Sequence, residues 1–164
     1  MKNLTFPILI LLIGFSACKK QERQAIFDDG TSQLRNQSQA PFYHSVASGD
    51  PLSNAVIIWT RVTPEFEVEV EGKWSVASDE KMENIVQFGD FTTNAERDYT
   101  VKTDVQDLEP DTYYFYQFEA LGKKSPVGRT KTAAKDSVDQ VRFAVVSCSN
   151  YEAGYFNAFG RIAA

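Results

Sequence analysis

From residue 42 to residue 132 the chain is a succession of short apolar or alternating runs. Each is closed within a few residues by glycine, proline or aspartate. Runs this short do not suit helices, whose amphipathic faces need about ten residues or more, but they suit strands. Residues 42–48 (FYHSVAS) end at Gly49-Asp50-Pro51, where glycine tolerates positive φ and proline stops a ladder. Residues 55–62 (AVIIWTRV) form a compact apolar run ended by Pro64. Val68 and Val70 alternate with Glu67, Glu69 and Glu71; Gly72 is expected to break that run and residues 74–77 to resume it. Residues 85–88, 98–105, 113–121 and 127–132 complete the set. The composition agrees, since 12 Phe, 7 Tyr and 2 Trp against 2 Met favour strands over helices. About seven short strands separated by turn signals predict an all-β sandwich over residues 41–133.

Two aromatic residues have expected structural places. Leu108-Glu109-Pro110-Asp111-Thr112-Tyr113-Tyr114 resembles the tyrosine corner of fibronectin type III domains. In that motif the ring packs in the core while the hydroxyl bonds back to upstream backbone. Tyr114 would hold that position. Trp59, inside its apolar run, is the expected core aromatic between the two sheets.

The amino terminus reads as an address. Lys2 supplies a positive n-region, and the unbroken run at residues 8–13 is too short for a membrane span, which needs about twenty apolar residues. Phe15-Ser16-Ala17-Cys18 then resembles the lipobox of bacterial lipoproteins, in which the cysteine thiol is lipidated and the signal is cut just before it. Residues 1–17 are thus expected to be a lipoprotein signal peptide, with Cys18 the lipidated residue. Residues 18–40 are polar and rich in Gln, the composition of a flexible tether.

The texture changes again past residue 133. Residues 134–140 are polar and read as a linker. Residues 141–147 (VRFAVVS) are apolar nearly throughout, as in a strand buried on both faces of a parallel sheet. Cys148, Ser149 and Asn150 would form the loop at its carboxyl end, where ligand sites of open α/β sheets gather. Phe156, Phe159 and Ala163 follow at helical spacing without a C-cap. One strand and part of a helix cannot bury their own apolar faces. The expectation is therefore a second domain, at residues 141–164, cut short early in its course.

Charge and residue counts exclude several functions. A net charge of −5 with no long basic run makes a poor nucleic-acid binder, and no such role is expected. One His and two Cys cannot furnish a zinc site of Cys and His ligands or a disulfide scaffold. His44, the sole histidine, is expected to be structural. Asp50 reads as turn chemistry. Glu67, Glu69 and Glu71 read as a solvated strand face, and Tyr113–Phe118 as core and cross-strand packing. An unpaired cysteine in an exported chain is unusual, because oxidising compartments favour pairing. Cys148 suits either a small buried hydrophobe or a thiolate metal ligand.

Three segments in order resemble one family. Residues 46–52 (VASGDPL), followed by 58–62 (IWTRV), are similar to the N-terminal domain of PhoD-like phosphatases, also called the alkaline phosphatase D family. Residues 125–132 (SPVGRTKT) fit the end of that domain, and residues 141–163, with their core SCSNYEAGYFNA, are similar to the entry into the family's metallophosphoesterase domain. The resemblance implies a mainly β chain: a fibronectin III/Ig-like β-sandwich, then the first strand and partial helix of a truncated α/β metallophosphoesterase domain. It implies hydrolysis of phosphate mono- or diesters outside the cytoplasm, with iron and calcium as cofactors of the intact enzyme. Cys148 matches the position of an iron ligand in the family, and Asn150 beside it would approach the substrate phosphate. The other metal ligands would lie beyond Ala164, so no catalytic residue is expected within this chain and it should be inactive alone. The partners implied are a phosphate-ester substrate and, through the amino-terminal lipid, a membrane on the periplasmic side or at the cell surface. The rival expectation is a non-enzymatic lipoprotein presenting a fibronectin-like binding module. It accounts for the anchor, tether and sandwich, but not for the apolar strand and the Cys148 loop.

If Cys18 carries the anchor, Cys18→Ser releases the protein from membranes. Fractionation with lipid labelling checks this, and an unlabelled, soluble wild-type protein would contradict it.

Overall fold

The computed structural model describes residues 35–147 and 156–163. Eight strands form two antiparallel sheets. β1 (Val46–Gly49), β2 (Val56–Arg61) and β5 (Thr100–Val105) make the first, in the order β1-β2-β5. The second contains β3 (Val70–Ala77), β4 (Ile85–Thr93) and β6 (Tyr113–Ala120), with the short β7 (Lys123–Lys124) and β8 (Gly128–Lys131) both pairing to the free side of β6. First, second and fifth strands thus face third, fourth, sixth and last, the expected fibronectin-like sandwich. A helix, α1 (Asn157–Ala163), lies later in the chain.

The core follows from strict alternation. In β6 Tyr114, Tyr116, Phe118 and Ala120 are buried, and residues between them are not. In β2 the inward set is Val56, Ile58 and Thr60. The β6 set, Val56 and Ile58 join Val70, Val76, Val101 and Val105 in one cluster. Thr60 is tolerated at an inward position because its hydroxyl donates to the carbonyl of Ser45 at 2.8 Å. Trp59 stands one residue out of phase. It lies on the outer face of the first sheet with Ile57 and Arg61, half-buried rather than central. The expected core tryptophan is therefore corrected: in a strand with one face inward, register outranks hydrophobicity. Phe42 and Tyr99, both outside strands, are among the largest fully buried side chains.

Element ends differ from expectation where turns intervene. β1 begins at Val46, not residue 42, because the preceding residues form turns, with Ser45 at φ 59°. Tyr99 precedes β5 in the left-handed region, beside Asp98. β4 runs to Thr93, five residues past its expected end, and the short β7 has no counterpart among the expected strands. Gly72 does not break β3. A Cβ there would lie 2.2 Å from the ring of Phe91, and one on Gly89 would lie 2.8 Å from the indole of Trp74. Each glycine sits opposite its aromatic partner in the β3–β4 register, so a ring from the neighbouring strand covers the space that a side chain would take. Residues 141–147 carry no strand ladder, and Phe143 and Val145 are 85% and 87% exposed. A strand buried on both faces needs neighbours to pair with, and none adjoins it among the described residues.

The tyrosine corner is present. Tyr114 is 4% exposed. Its hydroxyl accepts the backbone N–H of Glu109 at 2.9 Å. Thr132 ties the same corner to the end of the sandwich: its hydroxyl donates to the carbonyl of Glu109 at 2.7 Å and accepts the N–H of Thr112 at 3.0 Å. Tyr114→Phe keeps the ring and strands the Glu109 N–H, so it should cost about 1–3 kcal/mol. Denaturant unfolding measures this, and unchanged stability would contradict a structural role for the hydroxyl.

Candidate functional site

Of the residues assigned to chemistry or attachment by sequence, Cys18, Cys148 and Asn150 all lie outside the described residues. Among the described residues, no group of three His, Cys, Asp or Glu is placed to hold a metal ion. The sandwich residues do not fit the iron and calcium that the resemblance implies. Glu67, Glu69 and Glu71 are exposed, as a solvated face requires. Among the described residues no helix is long and apolar enough to cross a membrane.

The sandwich does assemble one cluster of ionisable side chains that sequence did not foretell. Asp98 precedes β5 in the left-handed conformation and meets Arg61 at the end of β2. The guanidinium engages the carboxylate through Nη2 at 2.6 Å and Nε at 3.1 Å, a two-point contact. Nη1 lies 2.9 Å from Nε2 of His44. The hydrogen bond from Arg61 holds the Asp98 carboxyl below its ordinary range. Partial desolvation, then the charges of Arg61 and Arg35, lowers the His44 imidazole, while Asp98 opposes them. His44 is thus an exposed acceptor partnered by arginine, and it lies just before β1 rather than within it. Nothing in the sequence signals this cluster, because Arg61 and Asp98 are 37 residues apart.

Two other features complete the surface. A cleft of about 370 Å³ lies where the segment before β1 meets the loop after β2, and Pro41, Tyr43, Pro64, Phe66 and Leu121 help line it. Tyr113–Phe118, read as packing from the sequence, divides by face. Tyr114, Tyr116 and Phe118 point into the core, and Tyr113 and Phe115 point out.

The sandwich has close relatives of known kind. The family model for the PhoD-like phosphatase N-terminal domain matches residues 29–134. Alkaline phosphatase D of Bacillus subtilis (strain 168) is 39% identical over 137 residues, spanning 78% of this chain and 24% of that protein. The solved structure of PhoD is similar with a TM-score of 0.72 at 38% identity, covering 78% of this chain and 26% of that one. The chain thus spans about a quarter of the length of these relatives. Family-model coverage of well over half its residues, and a shared fold at this identity, mean that the chain belongs to the PhoD-like phosphatase family through that family's N-terminal domain.

Proposed function

We propose that this chain is the amino-terminal part of an exported, lipid-anchored phosphoesterase, with the sandwich as an accessory domain beside a metal-dependent catalytic domain. The observation that carries this is the 39% identity to alkaline phosphatase D over 78% of the chain. Cys148 and Asn150 follow the apolar segment at residues 141–147, the position at which a phosphoesterase sheet would present its first ligand loop.

In this proposal Cys148 is the one metal ligand supplied by the chain, bound as its thiolate. A bound metal centre would polarise a phosphoryl group and favour in-line displacement by an activated nucleophile. Asn150 would offer its side-chain amide to a phosphate oxygen. Phosphate mono- or diesters are the proposed substrates, and iron with calcium the proposed metals. The lipobox at residues 15–18 supports the anchor, because small residues, cysteine and a polar tether occur there together. Two or more acyl chains hold a protein stably at a bilayer, at about 0.8 kcal/mol per buried CH₂.

The 164-residue chain by itself should not hydrolyse p-nitrophenyl phosphate or its bis-ester, whereas the protein that continues past Ala164 should. In that longer protein, Cys148→Ala should lower bound iron and reduce turnover by at least about tenfold, since even outer-shell changes at metal sites cost 10–100-fold. Metal analysis and phosphatase assays on both forms check this. Hydrolysis by the purified 164-residue chain, or full iron content in the Cys148 variant, would contradict the proposal.

A further inference from the structure

The outer face of the second sheet is divided in two. In one half Asp90, Lys73, Glu119 and Lys124 stand abreast on β4, β3, β6 and β7. All four are exposed, and their charges alternate in sign. Such a rung is at ease in water. In the other half the charges give way to apolar side chains. Ile85 and Phe115 flank Ala77 in a single rung. Phe88 stands on the same face opposite Ser75, and Tyr113 lies two residues before Phe115. Phe88 is 78% exposed and Tyr113 57% exposed. The cationic ends of Arg129 and Lys131 lie 5.8 and 5.2 Å from the Tyr113 ring and form a basic rim. Ser75 and Gln117 share the rung of Phe88, so the apolar side chains form a band edged by polar and basic groups, the anatomy of an interface rather than of scattered surface hydrophobes.

The chain leaves the sandwich beside this apolar half. β8 ends at Lys131, paired with Tyr113. Thr132 bonds to Thr112, and Ala133 is clamped by its N–H to the carbonyl of Leu52 and by its carbonyl to the N–H of Asp111. From Ala133 to Val141 is eight residue steps, at most about 29 Å at 3.3–3.6 Å per residue. Whatever begins at Val141 must therefore start within that distance of the clamp. Beyond the linker the chain again shows exposed apolar side chains, among them Val141, Phe143 and Val145. Apolar surface thus waits on both sides of a short connection. The relatives are about four times the length of the matched portion, and that portion is their N-terminal domain, so the rest of each relative follows this exit.

We propose that the Ile85–Phe88–Tyr113–Phe115 face is the seat on which the domain opening at Val141 docks. This rests on the proposal above that the chain continues into a phosphoesterase domain. Apolar burial against this face, with Arg129 at its rim meeting an acidic group, holds the two domains in one orientation. The sandwich then acts as a fixed buttress beside the catalytic sheet, not as a module swinging on a tether. The charged half of the same face stays in solvent.

Radical footprinting read by mass spectrometry tests this on the 164-residue chain and on the protein that continues past Ala164. Labelling of Phe88 and Tyr113 should fall severalfold in the longer protein, while Leu121, at the opposite end of β6, labels equally in both. Phe88→Asp should leave the melting temperature of the 164-residue chain unchanged, because the ring is exposed there. In the longer protein it should split one cooperative transition into two. Equal labelling of Phe88 and Tyr113 in both proteins would overturn the seat. So would protection that appears in the 164-residue chain only as its concentration rises, which would assign the face to a second copy. Protection that requires lipid vesicles would assign it to a membrane and overturn it as well. Protection in a longer protein without phosphatase activity would sustain the seat and refute the proposed function; activity without protection would do the reverse.

Discussion

The structure depends on the inward aromatic column of β6. Tyr114, Tyr116 and Phe118 project from one strand into the space between the sheets, where Val56, Ile58, Val101 and Val105 of the first sheet meet them. Phe118 packs edge-on against Tyr116 and Phe91, with ring centroids 6.4 and 6.1 Å away. Because β6 pairs with β3 on one side and with both β7 and β8 on the other, the strand that fills the core also organises its own sheet. Ser125 preserves the outer pairing across the gap between β7 and β8. Its N–H donates to the carbonyl of Phe118, and its hydroxyl accepts the Phe118 N–H at 3.0 Å. Pro126, which has no N–H to give, is thereby accommodated at an edge.

The same strand sets where the chain enters and leaves. At its start, the Tyr114 hydroxyl and the Thr132 hydroxyl both address the backbone of Glu109, one accepting and one donating. Leu108 bonds to Asn54, and Ala133 to Leu52 and Asp111, so three loops converge on the exit. The Lys131–Asp111 ion pair closes the outside of this knot. The clamp at residue 133 fixes the point from which residues 134–140 lead on. In the proposed phosphoesterase this fixed exit is what the sandwich contributes mechanically.

Much of the fold was legible because alternation and turn chemistry are local. The runs at residues 55–62, 98–105 and 113–121 contain β2, β5 and β6, and the tyrosine corner was readable as a motif with its partner segment. What escaped was set by long-range geometry. Trp59 faces outward because Ile58 and Thr60 face in, a register fixed only by pairing with β1 and β5. Gly72 reads as a breaker in isolation but lies beneath Phe91, a residue nineteen positions on that only the folded sheet brings near. The Arg61–Asp98–His44 cluster joins three loop or strand ends with no common motif. For the site the reverse holds: Cys148 and Asn150 stand out only by resemblance and position in sequence, since the partners that would define their geometry are not among the described residues.

The central claim is that this family member presents Cys148 to a metal at the mouth of a catalytic sheet while the sandwich braces it. X-ray absorption at the iron edge, recorded on the protein that continues past Ala164, tests that claim most directly. A sulfur scatterer in the first coordination shell of iron is the expected result, from a single thiolate at Cys148. A shell of oxygen and nitrogen alone, in an active and iron-loaded enzyme, would contradict it.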